Sequence, residues 1–193
     1  MSLFQPGYLP QQTVAGTCYI GSTTYAGIAI PAYNATAQVF GLWNPAGSGV
    51  NVILVKLNLG IATLGTEAQA AIGLSAVYNT GAAIGATGAP ITAFTQTASV
   101  PALIGAGAGQ SALSRARFTL SATTIAPTFV YNCSLTEFSG SLTATSSAPG
   151  VAWMEHDFDG AVGVAPGTYI GLGGSAAPGS TYQASLVWFE VPA

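Results

Sequence analysis

The chain has 193 residues, 50% of them hydrophobic and only 5% charged, with three basic side chains, six acidic ones and one histidine for a net charge of −3. A soluble domain ordinarily carries about 25% charged residues. So few cations exclude a nucleic-acid binder that tracks phosphates and a membrane-surface binder with a polybasic patch. An apolar-rich, charge-poor chain is also the opposite of a disordered one.

The length suits one domain with one core. An independent monomer stays dispersed through mixed surface charge, so this composition predicts that other protein covers much of the surface. The mean hydropathy of +0.51 raises the question of a membrane span. Residues 68–114 carry no charge, but Asn79, Gly81, Pro90, Gln96 and Pro101 interrupt them. No run approaches the ~18–20 consecutive apolar residues of a spanning helix.

Residues 1–16 hold Pro6, Gly7 and Pro10, which predict an extended N-terminal arm. They lack the basic and apolar regions of a secretory signal. Residues 17–193 then read as one β-rich domain. Runs rich in Thr, Val, Ile, Tyr and Phe, separated by Gly, Pro, Asn and Ser, predict strands.

The first runs are 37–43 and 50–59, joined by Asn44-Pro45-Ala46-Gly47-Ser48-Gly49. Pro45 fixes φ and the two glycines accept positive φ, so the segment reads as a reversal between paired strands. In the second run Lys56 and Asn58 share one face, while Val55, Leu57 and Leu59 share the other. Thr66-Glu67-Ala68-Gln69 has the form of a helix capping box, but Gly73 and the residues after it favour a strand over 70–78.

Residues 79–110, rich in Gly, Ala and Thr, read as a long irregular connection. Further strands are expected at 113–121, 128–139, 151–158, 168–172 and 182–191. In the last run Leu186, Trp188 and Glu190 alternate with Val187, Phe189 and Val191. Both faces are therefore expected to be covered, one by the core and one by something else. About eight to ten strands with almost no helix predict an all-β, single-domain jelly-roll β-sandwich.

Catalytic chemistry is sparse. His156 is the one histidine, no serine sits in a Gly-x-Ser-x-Gly elbow, and Lys56 lies outside any phosphate-binding loop. Gly105-Ala106-Gly107-Ala108-Gly109 lacks the acidic ribose ligand of a dinucleotide site. Glu137 and Glu155 form only a nominal glycosidase pair. No enzymatic activity and no cofactor are expected.

The densest polar segment is Glu155-His156-Asp157-Phe158-Asp159-Gly160. Three carboxylates at i, i+2 and i+4 need solvent, a cation or arginines. Glu155, Asp157 and Asp159 are thus weak calcium candidates, since the glutamate that would complete a calcium loop falls on Pro166. Arg115 and Arg117, two apart on one strand, are the arginine alternative, within a subunit or across an interface. Trp43, Trp153 and Trp188 suit core packing, a sugar-stacking platform or an interface anchor. Cys18 and Cys133 read either as two buried thiols or as one disulfide.

Two segments carry a resemblance. Leu42-Trp43-Asn44-Pro45-Ala46-Gly47-Ser48-Gly49-Val50-Asn51-Val52 resembles a strand–NPxGSGxN–strand unit of jelly-roll proteins encoded by tailed phages. Val164-Ala165-Pro166-Gly167-Thr168-Tyr169-Ile170, with Leu186 through Pro192, resembles their closing strands, a PGxY strand and a final strand ending in W-x-E-x-P. Those proteins are trimeric, tumour-necrosis-factor-like capsid decoration proteins or head fibres.

The resemblance implies a homotrimer on the outer surface of a virion, bound to the major capsid protein, with Trp188, Phe189, Arg115 and Arg117 as interface candidates. It carries over no catalytic residue. A carbohydrate- or receptor-binding module of a phage fibre, with a cell-surface glycan as ligand, is the alternative.

Overall fold

The computed structural model describes residues 11–13, 15–33, 37–63, 70–77, 99–101, 114–120, 123–124, 128–136, 153–177 and 179–193. The strands among them are β1 (Cys18–Ser22), β2 (Ile28–Ala29), β3 (Ala37–Gln38), β4 (Gly41–Asn44), β5 (Val50–Thr63), β6 (Ala70–Val77) and β7 (Ser99–Pro101). After these come β8 (Arg117–Thr119), β9 (Thr123–Thr124), β10 (Thr128–Thr136), β11 (Trp153–Asp157), β12 (Gly163–Val164), β13 (Thr168–Gly174) and β14 (Thr181–Pro192).

The fold is all-β, two antiparallel sheets forming a β-sandwich. The first sheet runs β11-β5-β14-β1-β7, with β12 also on β5 and β2 also on β14. The second runs β10-β6-β13-β4-β8, and β3 pairs with β9 apart from both.

The core follows from alternation. Tyr182, Ala184, Leu186 and Trp188 point inward from β14 and meet Ile72, Leu74, Ile170 and Leu172 from the facing sheet. Phe118 stacks against Trp188 at 6.2 Å between ring centroids, and Phe40 meets Phe118 edge-on at 5.0 Å. These rings bury large apolar area in geometries that suit their quadrupoles.

Strand β5 keeps the expected alternation from Lys56 to Leu59 but shifts phase at Val55. Val50, Val52 and Leu54 are buried, then Leu57 and Leu59, with Val55 and Lys56 both half-buried. Against β14, Trp188 pairs with Leu54 and Val187 with Lys56, so Val55 is the extra residue of a β-bulge. At the same level the other neighbour of β5 changes from β11 to β12. Phe158 N donates to Val55 O at 2.8 Å, and Leu54 N donates to Val162 O at 2.9 Å. The chain between them turns through Asp159 at φ 48° and Gly160 at φ 72°.

Three expectations are corrected. Residues 37–43 are not one strand: β3 pairs with β9, and β4 pairs with β13 and β8. Nor do β4 and β5 form a hairpin, because they belong to opposite sheets. Gly47 and Gly49 do take positive φ, at 80° and 70°, but the reversal carries the chain across the sandwich. The buried Asn44 holds that crossing, its Nδ2 donating to Val50 O and to Val164 O at 2.8 Å each.

Finally, the arm is not extended where it is described. Residues 11–13 are helical, Ala15 N and Thr17 N donate to Gln11 O and Gln12 O, and Gly16 at φ 73° ends the turn. Past Pro10 no further proline blocks those bonds.

The strand expected over 70–78 is β6, Ala70–Val77. Within the irregular connection expected over 79–110, Ser99–Pro101 forms β7 on β1; the rest of it with Gly105–Gly109, the capping box at 66–69 and Glu137 lie outside the described residues.

Candidate interaction surfaces

At the end of the sandwich that carries the 45–49 turn, Glu190 sets the local structure. Its carboxylate is buried at 8% exposure. Oε1 accepts from the Ser114 hydroxyl at 2.5 Å and from Ala116 N at 2.9 Å, and Oε2 accepts from Arg115 N at 3.1 Å. Successive backbone N–H groups aimed at one anion form a small nest. Residues 114–116 are therefore irregular where a strand was expected, and β8 begins only at Arg117.

This clamp leaves both arginines on the surface. Arg115 Nη1 donates to Ser48 O at 3.2 Å, and the Arg117 guanidinium lies 5.7 Å from the centre of the Trp43 ring. The second contact is a cation–π pair. Among the described residues the ion pairs are made by Lys56, so neither arginine meets the acidic segment inside the chain.

That segment lies at the opposite edge, on β11. Lys56, directly across from Asp157 in the β5–β11 register, reaches Glu155 Oε1 at 2.5 Å and Asp157 Oδ1 at 3.2 Å. Hydrogen bonds to Glu155, then to Asp157, push the Lys56 ammonium above its ordinary range. The ammonium stands between the two carboxylates, the position the calcium reading gave to a metal. Asp159 sits beyond the strand in the left-handed turn. No three ligating side chains converge among the described residues.

His156, between those acids in sequence, points the other way. Its Nε2 shares a hydrogen bond with the Tyr131 hydroxyl at 3.3 Å, and its ring meets Phe158 edge-on at 4.8 Å.

Trp188 and Phe189 are both fully buried within a single chain. Their assignment as interface candidates is corrected: Trp188 belongs to the core between Tyr19 and Phe118, and Phe189 is buried within the chain as well. The chain itself closes over both faces of β14 at this point, because a ring at 0% exposure has no surface left to offer. Trp43 lies half-buried under Arg117, and the Trp153 side chain lies outside the described residues.

Cys18 and Cys133 are free and buried. They sit on strands of opposite sheets, β1 and β10. Burial raises both thiols, Cys133 to about 12.

Sequence reasoning missed the exposed aromatics. Tyr25 is 93% exposed on a turn pinned by Gly27 N donating to Thr24 O and by Gln183 Nε2 donating to Tyr25 O. Phe129 and Val130 are exposed on β10, the edge strand of the second sheet. Phe129 packs on Tyr33 at 4.4 Å. Tyr25-Ala26-Gly27 carried a turn signal; for Phe129, nothing local distinguishes an exposed strand aromatic from a buried one.

Comparison with known protein families, curated proteins and solved structures finds no match.

Proposed function

We propose that this chain is a structural virion protein: a capsid decoration or head-fibre subunit that binds the outer surface of a phage capsid as a homotrimer and reinforces it. The observation that carries the reading is the order of strands. β1-β14-β5-β11 in one sheet and β4-β13-β6-β10 in the other make the first and last strands neighbours, and most successive strands alternate between sheets. That order supports a jelly roll, a double-sheet architecture common in viral capsid proteins.

The charge-poor composition supports the same reading, because a chain with 5% charged residues gains by pressing its surface against other protein. The function is mechanical. A trimer seated over the junctions of coat subunits adds contacts that oppose their separation, and it needs neither a catalytic group nor a cofactor. Residues 11–17 are tied to the last strand through Glu190 N donating to Thr17 O, next to the carboxylate that accepts from Arg115 N.

Light scattering at micromolar concentration, followed by co-sedimentation with capsids of the same particle, tests the proposal. Three times the chain mass and saturable binding are expected. A one-chain mass, or no binding by the assembled protein, overturns it.

A fibre module that binds a cell-surface glycan is the second reading. Tyr25 favours it, since an aromatic ring presented at 93% exposure on a pinned turn suits stacking on a sugar. Binding on a glycan array that is lost in Tyr25→Ala would select this reading over the first.

A further inference from the structure

We propose that copies of this chain associate head to tail through oppositely charged edges, the β8 side of one copy, with Arg115 and Arg117, seating on the β11 side of the next, with Glu155, Asp157 and Asp159. The inference rests on the self-assembly proposed above and adds the surfaces that meet.

The sheet order puts the two charge sets on opposite sides of one sandwich. β11 is the terminal strand of the first sheet and lies over β10, the terminal strand of the second. β8 terminates the second sheet at its far end.

The two sets also lie at one height along the strands. Phe118, next to Arg117, stacks on Trp188. Asp157 pairs with Lys56, which pairs with Val187, the residue beside Trp188.

The charges are unequal in the required sense. Among the described residues the β11 side carries three exposed carboxylates against the one Lys56 ammonium, and the β8 side carries two exposed guanidiniums whose local carboxylate, Glu190, is buried. A two-fold contact of either edge with its own copy would oppose like charges. Contact between different edges pairs them, and such a heterologous contact closes into a ring when its rotation allows. Exposed charges of this kind are screened within about 8 Å at physiological salt, so they choose partner and register more than they supply affinity.

Charge exchange in the full chain tests this. Arg115→Glu with Arg117→Glu, and separately Glu155→Lys with Asp157→Lys, are each expected to weaken self-association by about tenfold or more in light-scattering dilution series. All four substitutions in one chain restore complementary edges and are expected to recover the assembly. Thermal melts identify folded variants. If a reversal does not fold, Arg115→Gln with Arg117→Gln and Glu155→Gln with Asp157→Gln replace it, each with the same expected direction.

Folded edge variants that assemble like the unmodified protein overturn the edge pairing and leave self-assembly standing. A folded four-fold exchange that stays dissociated does the same. A one-chain mass for the unmodified protein overturns both.

Discussion

Nε2 of His156 lies 3.3 Å from the hydroxyl of Tyr131, and this contact joins the edge strand of one sheet to the edge strand of the other. Phe158 completes the cluster, 5.5 Å from Tyr131 and 4.8 Å from His156 between ring centres. Most of the stabilisation there comes from ring burial. Tyr131→Phe keeps the rings and removes one part-buried hydrogen bond, and is expected to cost about 1 kcal/mol or less. Phe158→Ala empties a fully buried ring site and is expected to cost about 3–5 kcal/mol. Urea denaturation of the two variants checks the contrast.

Glu190→Ala removes the acceptor shared by the Ser114 hydroxyl and by the backbone N–H groups of Arg115 and Ala116. Each donor left dry costs about 1–3 kcal/mol, reduced where water enters. A loss of roughly 2–4 kcal/mol is expected in denaturant unfolding, with hydrogen exchange at Arg115 and Ala116 accelerating before global unfolding.

Asn44→Asp is nearly isosteric and is expected to be severe. It replaces an amide donor with a carboxylate facing Val50 O and Val164 O inside the protein. An unpaired buried charge against two carbonyls costs about 3–5 kcal/mol. The melting temperature of Asn44→Asp should fall well below that of Asn44→Ala, which only leaves the carbonyls unpaired.

Two glycines should respond differently to alanine. A Cβ on Gly21 would lie 2.6 Å from the fully buried Phe118 ring, which has no room to withdraw. Gly47 faces open space, but its φ of 80° strains any side chain. Gly47→Ala is expected to cost about 1 kcal/mol. Gly21→Ala should cost roughly 1–3 kcal/mol or more, as overpacked cores do. Paired thermal melts measure both.

Stability should fall in alkali. Burial pushes the Cys133 thiol from its ordinary 9.0 to about 12, and the Tyr33 hydroxyl from 10.0 to about 12. Above pH 9 the unfolded chain releases protons that the folded chain keeps, so this stabilisation is complete below pH 9 and lost as pH rises toward 12. The Cys133 thiol contributes a slope of at most about 1.4 kcal/mol per pH unit, and the Tyr33 hydroxyl, more open to solvent, contributes less. Cys133→Val should flatten the decline in urea midpoints between pH 9 and 11. In the native protein at pH 8, iodoacetamide should leave both thiols unmodified and should alkylate them once urea unfolds the chain.

The strand runs were legible wherever alternation was strong. The spacing around Leu186 and Trp188 marked β14, and the two glycines after Pro45 marked a reversal. Which sheet each strand joined was not legible. Whether β4 pairs with β5 or crosses away from it depends on Asn44 reaching Val164, 120 residues later, and no local pattern reports that distance. The bulge at Val55 was equally hidden, since it exists only in the register with β14.

Of the surface candidates, the charges were legible and their neighbours were not. Solvent, a cation or arginine was the expected company of Glu155 and Asp157, yet Lys56 takes that place because β11 docks beside β5. Phe189 looked available to another chain only because a strand pattern shows which residues alternate, not what covers each face.

By itself the sequence determined an all-β chain, the positions of most strands, its turns and its poverty of charge, because propensity and period-two alternation act over a few neighbouring residues. The tertiary structure alone decided sheet membership, the partners of its few charges and which aromatics reach solvent. Those outcomes depend on long-range pairing and enclosure, where residues a hundred positions apart compete for the same space.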